Sequence, residues 1–491
     1  MKKRRACLSI LLASLMTISS TFGSLVYADD VTVKPSNDYL HTDGSKLYDD
    51  YGNQVRMTGI AWFGLETPNY SFHGLWANRL DNILGIVADS GFNTLRVPLS
   101  VELVNQWRQG IYPKADSLND YISPEMKGFT SLQVLDAAIA QCKKDGIKIM
   151  LDMHRIESAG QTNLWYTSKY TTDDYEKCWQ YLADRYKNDD TVIAADIFNE
   201  PHGKAYRKEE SAKWNDSTDP DNWKYEAERV GKKILAINPK LLIVVEGVET
   251  YPKSGSYSGS SSADDYYGGW WGGNLRGVKD HPVDLGTASK QVVYSPHEYG
   301  PGVSDQSWFD KDFTEDSLTN DVWRPSWFYI QEQNIAPLLI GEWGGNMDGG
   351  KNEQWMSYLA KFIADNNMNH TFWCVNANSG DTGGILGYDF KTVDTKKLAL
   401  VQPTLWKDEK TGKYMGLDHE VNLGKNGTHV QPKDDIITGD LNGDGVVNVL
   451  DCILMKKYLQ NGSSVYDKKY DLNGDGQVNV LDLILLKKML K

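Results

Sequence analysis

The segment Ile197-Phe198-Asn199-Glu200-Pro201 follows the apolar run Thr191 to Asp196 and stops at a proline. Its composition reads as a buried strand ending at Glu200, with a loop from Pro201. A second stretch, Pro337-Leu338-Leu339-Ile340-Gly341-Glu342-Trp343, is also apolar and tipped by a glutamate, 142 residues after the first. Carboxylates at the carboxyl ends of parallel strands sit where barrel active sites are built. An acid and a nucleophile facing one bond are what cleavage of a glycosidic linkage requires.

Other polar and aromatic residues fall at the same kind of position. Arg96 closes one expected strand, His154 another, and Asn199 precedes Glu200. His297 and Tyr299 close a further strand, and Trp373 lies on the last. Any one of these reads equally well as an ion-pair partner, a core histidine or core filler. Six on one rim, with the other rim equally available, argue for a site. Arg96 near Glu342 would favour its charged form, and burial of Glu200 without a partner would raise it toward neutrality. Asn199 would hydrogen-bond a sugar hydroxyl, and Tyr299 would steady the nucleophile.

The elements that must carry these residues alternate. Strands are expected at 56–62, 93–100, 147–154, 191–200, 241–246, 291–299, 337–343 and 370–375. Helical spacing covers 75–90, 129–144, 172–187, 222–238, 316–333 and 352–365. A loop holding Pro113 and Pro124 follows the second strand, and a Ser/Gly-rich loop with Tyr266, Tyr267, Trp270 and Trp271 follows the fifth. Alternation over this length predicts an α/β fold, a (β/α)8 TIM barrel, followed by a small all-α calcium-binding module. An open doubly wound sheet fits less well, because no Gly-rich phosphate turn follows the first strand.

The chain has 491 residues, 40% of them hydrophobic and 24% charged, which suits one large barrel plus a small module. Lys2, Lys3, Arg4 and Arg5, the apolar run Ala6 to Met16 and Val26-Tyr27-Ala28 read as an export signal over 1–28. Its removal takes the net charge from -14 to -18, which excludes nucleic acid as an expected partner. The apolar run is too short to span a bilayer, so no membrane association is expected. Cys142, Cys178, Cys374 and Cys452 show no metal spacing and are expected as free, mostly buried thiols. The expected domains are 29–410 for the barrel, 411–437 for a polar linker and 438–491 for the module.

The module is an internal repeat. Asp440-Leu-Asn-Gly-Asp-Gly-Val-Val-Asn-Val-Leu-Asp451 recurs 31 residues on as Asp471-Leu-Asn-Gly-Asp-Gly-Gln-Val-Asn-Val-Leu-Asp482. Oxygen ligands at alternate positions, with Gly at the sixth for a sharp turn, follow calcium-loop logic. The ligands would be Asp440, Asn442, Asp444, the Val446 carbonyl, Asn448 and Asp451 in one copy. In the other they would be Asp471, Asn473, Asp475, the Gln477 carbonyl, Asn479 and Asp482. Two calcium ions are therefore expected in the module, and no cofactor for catalysis. Position twelve is Asp and no helix precedes either loop, unlike an ordinary EF-hand.

Leu95-Arg96-Val97-Pro98, Asp152-Met153-His154, Asn199-Glu200-Pro201, His297-Glu298-Tyr299, Gly341-Glu342-Trp343 and Phe372-Trp373 together resemble glycoside hydrolase family 5, over residues 45 to about 405. The resemblance implies Glu200 as acid/base and Glu342 as nucleophile of a retaining double displacement. Trp62-Phe63-Gly64, His73-Gly74-Leu75-Trp76, Trp270-Trp271-Gly272-Gly273-Asn274-Leu275 and Ser379-Gly380-Asp381-Thr382-Gly383-Gly384 resemble its bacterial endo-β-1,4-glucanases. That resemblance implies Trp62 and Trp271 as sugar-stacking platforms, beside substrate contacts from Arg96, His154, Asn199, His297, Tyr299 and Trp373. A mannanase or xyloglucanase on the same pair, or a sugar-binding subunit without catalysis, are the alternatives.

The repeat resembles a type I dockerin, a module that docks enzymes onto a cohesin of a scaffold protein. The resemblance implies cohesin contacts at Val449, Leu450, Lys456 and Lys457 and at Val480, Leu481, Lys487 and Lys488. It implies a secreted, extracellular, scaffold-bound enzyme (a cellulosome component) acting on β-1,4-glucan.

Overall fold

Eight short runs rich in Val, Ile, Leu and Ala pair side by side, all parallel, in a computed structural model of the chain. It describes residues 38–207, 209–257, 259–431, 438–442, 446–460 and 468–490. The expected export signal and Asp444 lie outside the described residues.

The barrel strands are β1 Thr58–Ala61, β2 Thr94–Ser100, β3 Lys148–Arg155, β4 Val192–Asp196, β5 Leu242–Glu246, β6 Val292–Ser295, β7 Leu339–Ile340 and β8 Asn369–Phe372. Their order in the sheet is β6-β5-β4-β3-β2-β1-β8-β7. Parallel bridges Tyr294↔Leu338 and His297↔Glu342 join the two edges, so the ring is nearly closed. A parallel strand in such a ring is covered on both faces, which is why β2 is buried along its whole length and β3 at every residue but Arg155.

Most outer helices are where their spacing put them. Ser131–Asp145 starts at a capping box between Thr130 and Gln133 and stops at Gly146, whose φ of 72° suits a residue without a side chain. Thr172–Arg185 has the same kind of start at Thr171 and Asp174. The helix expected over 316–333 is present, but its middle, Leu318–Phe328, is wound wide. Pro325 inside it has no N–H to offer the normal ladder. Among the described residues, the barrel helices Val101–Arg108 and Thr395–Val401 were not expected, and Val101–Arg108 follows β2 with no intervening loop. Ser100 ends the strand and also caps the helix by accepting from Leu103 N–H, so the apolar pattern changes period without punctuation.

Residues 411–431 correct the expected linker. They form a strap on the amino-terminal floor of the barrel, with Leu417, Leu423 and Val430 buried. Met415 carbonyl accepts from Asn93 Nδ2 at 3.1 Å, and Gly424 N–H donates to the Asp145 carbonyl at 2.9 Å. Lys148 at the start of β3 donates to Asp38 at 2.6 Å and Asp418 at 2.9 Å. His419 bonds Asp38 and, at 2.9 Å, Asp49. The strap looks like a linker in sequence because its apolar residues are sparse and its acids are paired only in space.

Burial opposes protonation of His419, but Asp38 and Asp49 outweigh it and its pKa rises to about 9. An unfolded histidine titrates near 6.5, so this stabilisation is complete below about pH 6.5 and lost as pH rises through about 9. Thermal melting of the wild type should therefore fall relative to His419→Gln between those two pH values. Parallel melting curves across that range would refute the strap's electrostatic attachment.

The carboxy-terminal module has its own small core. Helices Val449–Gln460 and Val480–Met489 enclose Leu441, Cys452, Met455, Tyr470, Leu483 and Leu486. Cys142, Cys178, Cys374 and Cys452 are free and buried, as expected.

Candidate active site

Burial and charge set the site from the inside outward. Arg96 on β2 is fully buried and surrounded by acids. Its Nε donates to Asp196 at 2.8 Å, its Nη1 to Glu342 at 2.5 Å and its Nη2 to Asn199 Oδ1 at 2.9 Å. Asp152 lies 3.1 Å from the same guanidinium and Glu246 3.4 Å. Burial alone would discharge an arginine, but these acids outweigh it and hold it protonated. Burial in turn lifts Asp152 to about 7 and Asp196 to about 6.

Glu342 leaves the end of β7 and is held by two donors. Tyr299 Oη donates to its Oε2 at 2.6 Å, opposite Arg96 on Oε1. Burial and the neighbouring Glu342 push the Tyr299 phenol well up, so it is a donor. His154 hydrogen-bonds Asp152 at 2.7 Å; burial lowers its pKa to about 3, so it stays neutral.

Glu200 stands four residues beyond β4 with φ of 52°, a left-handed backbone uncommon outside glycine. Its N–H donates to Glu246 Oε2 at 2.8 Å, which fixes that conformation. Gly272 packs against the same carboxylate; a Cβ there would lie 2.2 Å from Glu246 Oε2. His297 Nδ1 is 3.2 Å from Glu200 Oε1, and its Nε2 is 3.1 Å from Glu246.

These contacts correct one expectation. Burial does oppose ionisation of Glu200, but the His297 hydrogen bond and charge outweigh it and its pKa is lowered. Burial likewise opposes a charge on His297, yet Glu246 and Glu342 raise it well above the ordinary value. The proton of the resting Glu200–His297 pair therefore sits on the imidazole. Carboxylate oxygens of Glu200 and Glu342 lie within 4.8 Å of each other.

A cleft of about 820 Å³ opens over the pair. Trp373 forms part of its wall, nearly parallel to Phe63 and His154 at 5.6 and 5.4 Å between ring centroids. Its peptide bond to Cys374 is cis. Trp271 lines the other side, 41% exposed, its ring flat on His202 at 3.8 Å. Asn199 Nδ2 is buried and without a partner among the described residues, a donor left for a ligand.

Trp62 is a correction. It is 0% exposed, donates Nε1–H to the His73 carbonyl at 2.8 Å and stacks on Phe72. It is core, and its neighbour Phe63 meets the cleft instead. Glu66 and Arg155, unforeseen from sequence, also line the cleft. Asp152 shares the inward face of β3 with His154, a period-two signal that was available in the motif.

A family profile for Cellulase (glycosyl hydrolase family 5) matches residues 48–379. The chain belongs to glycosyl hydrolase family 5. A Dockerin type I domain profile matches residues 438–491. Endoglucanase G of Acetivibrio thermocellus is 42% identical over 524 aligned positions, covering 94% of this chain and 92% of that protein. An endoglucanase of Paenibacillus polymyxa is 42% identical over 79% of this chain and 91% of its own length. Among solved structures, the hyperthermophilic endocellulase from Pyrococcus horikoshii superposes with a TM-score of 0.68 at 32% identity, covering 76% of this chain and 99% of that one.

This family 5 chain is thus a glycoside hydrolase carrying a type I dockerin, a module class that binds calcium and docks on cohesins. The donors of its two loops fit a hard cation. They are oxygens throughout, and Asp451 and Asp482 at the twelfth positions are fully buried. Asp482 also ties its loop together, accepting from Leu472 N–H at 2.9 Å and Asn479 N–H at 2.8 Å. Asp451 does the same with Leu441 and Asn448, both at 2.7 Å.

Proposed function

We propose that the family 5 barrel hydrolyses internal β-1,4-glucosidic bonds of cellulose and related β-glucans with retention, Glu342 as nucleophile and Glu200 as acid/base. The observation that carries this is that one carboxylate oxygen of Glu200 and one of Glu342 lie within 4.8 Å of each other. Retaining sites need about 5–5.5 Å, whereas inverting sites leave about 6.5–9.5 Å for a water between. The endoglucanase names of the long relatives support the substrate class.

Glu342 Oε attacks the anomeric carbon while the leaving oxygen takes a proton from Glu200, which receives that proton from His297 across their hydrogen bond as it gives it, so that Glu200 ends the step as a carboxylate and His297 as a neutral imidazole. Bond breaking leaves a glycosyl ester on Glu342. Glu200 then takes a proton from water, that water displaces the ester from the opposite face, and the proton returns to His297 to restore the resting pair. Arg96 and Tyr299 hold Glu342 from two sides, so little reorganisation accompanies attack. The free Asn199 donor is suited to a sugar hydroxyl beside the breaking bond. The exposed face of Trp271 is suited to stacking on a pyranose ring. Proton NMR of the first-formed sugar should show the β-anomer; an initial α-anomer would sink this mechanism. Running the assay on carboxymethylcellulose, mannan and xyloglucan in parallel fixes the substrate class.

Asp440, Asn442, Asp444, Val446 carbonyl, Asn448 and Asp451, with their counterparts Asp471 through Asp482, are the residues that would hold calcium. Bound calcium supplies folding energy to a module too small for a large core. Val449, Leu450, Val480 and Leu481 are each more than half exposed, and Lys456, Lys457, Lys487 and Lys488 are exposed beside them. They support a cohesin-facing surface present twice, and hence an extracellular, scaffold-bound enzyme. Excess chelator should abolish the module's helical circular dichroism and its cohesin binding, leaving glucan hydrolysis intact. Cohesin binding that survives chelation would overturn the calcium dependence.

A further inference from the structure

The chain holds four Asn-Gly dipeptides, at Asn426, Asn442, Asn461 and Asn473. Such a pair is chemically labile wherever the glycine nitrogen can reach the asparagine side chain, because glycine adds no side chain to hinder the approach. Gly443 and Gly462 lie outside the described residues; Gly427 and Gly474 are both described, and their surroundings differ.

Gly427, in the strap, is shut in. It is buried, its N–H donates to the Leu423 carbonyl at 3.0 Å, and a Cβ there would lie 2.3 Å from that oxygen. Gly474, in the second loop of the carboxy-terminal module, is open. Asn473 and Gly474 are exposed, and no described atom lies within 4 Å of where a Cβ on Gly474 would be.

The groups around Asn473-Gly474 are those that a reaction between the two would use. Gly474 N–H donates to Asp471 Oδ1 at 2.8 Å, so the attacking nitrogen faces a carboxylate. Gly476 N–H donates to Asp471 Oδ2 at 2.8 Å and keeps that base turned inward. Asp475 N–H donates to Asn473 Oδ1 at 2.9 Å, on the oxygen where negative charge develops during attack. Asn473 Nδ2 donates to Asp475 Oδ2 at 3.0 Å, which holds the leaving nitrogen. A base on the nucleophile, a donor on the oxyanion and a held leaving group are the parts of an acyl-transfer site. All four contacts fall within residues 471–476 and draw nothing from the helices.

We propose that the second calcium loop is a self-modifying site: without calcium, Gly474 N attacks Asn473 Cγ and the side-chain amide is lost as ammonia. The N–Cγ bond forms as Cγ–Nδ2 breaks, and the Gly474 proton passes through Asp471 to the departing nitrogen. One water then opens the resulting cyclic imide at either carbonyl, to aspartate or to isoaspartate. Isoaspartate routes the main chain through the side-chain carbon, which lengthens the loop between its third and fourth positions and displaces the ligands that follow. Bound calcium would draw on the oxygens of Asp471, Asn473 and Asp475, the groups the reaction needs, so a loaded loop is protected. The inference rests on the calcium reading of the module and adds a limit to the life of an unloaded one.

The test incubates the full chain with excess calcium or with chelator and reads its tryptic peptides by mass spectrometry, with isoaspartyl methyltransferase labelling for isoaspartate. In chelator, Asn473 should convert faster than Asn426 and roughly tenfold or more faster than in calcium, and Asp471→Ala should slow it by roughly tenfold, a modest part of what a positioned base contributes. Wild type and variant are both without calcium in that arm, so the comparison does not depend on the variant's hold on the ion. Calcium returned after the incubation should restore less helical circular dichroism as the converted fraction grows. Conversion of Asn473 no faster than that of Asn426, or an Asp471→Ala chain that converts as fast as the wild type in chelator, would overturn the self-modification. Circular dichroism that ignores chelator would instead overturn the calcium reading, and the Asp471→Ala arm would still decide the chemistry.

Discussion

Glu342→Gln should drop turnover of soluble β-glucan by on the order of 10⁵-fold, the scale on which enzymes lose a nucleophile. The amide has nearly the same shape and can still accept from Arg96, so the melting temperature should stay close to that of the wild type. What disappears is the carboxylate proposed to form the glycosyl ester. Glu200→Gln is the informative partner. An aryl glycoside with a good leaving group needs no proton, so that variant should still form the ester rapidly and then stall. Glu342→Gln should fail on both kinds of substrate. Near-full hydrolysis by Glu342→Gln would remove Glu342 from the role assigned to it.

Arg96→Met should destabilise the barrel by about 3–5 kcal/mol, the cost of removing one member of a buried charge cluster. The variant leaves Asp152, Asp196, Glu246 and Glu342 around a neutral side chain in a buried space. Asp152 and Asp196 already titrate near 7 and 6 with the guanidinium present. Without it their folded pKa values rise further above the unfolded carboxylate value, so the folded variant binds protons that its unfolded chain releases. Its stability deficit should therefore widen as pH rises from about 5 to 8, read by urea unfolding midpoints at each pH. A deficit independent of pH would mean that packing, and not charge, dominates at this position. Activity should be lost as well, since Glu342 would keep only the Tyr299 donor.

Much of this was legible in one dimension. Alternation of apolar runs with helical spacing predicts the barrel, because a parallel strand covered on both faces must be apolar throughout. A glutamate closing such a run stands out for the same reason. The loop repeat is legible because each expected calcium ligand of a copy lies within twelve residues of the others.

Other features depended on contacts between distant segments. Trp62 and Phe63 are adjacent and equally aromatic, yet packing turns Trp62 onto Phe72 and Phe63 into the cleft. The strap at 411–431 reads as solvated chain until Lys148 and Asp49 are found beside its Asp418 and His419. Helix Val101–Arg108 escaped notice because Ser100 serves two elements at once.

The residue types that perform the chemistry, and the strands that deliver them, were thus set out in the linear order of amino acids, where hydrophobic periodicity is a local property. Which of those residues holds the proton was not. That answer came from folding, which brings His297 against Glu200 and Arg96 against Glu342, because a charge responds to whatever lies within a few ångströms of it in a buried site, however far away along the chain.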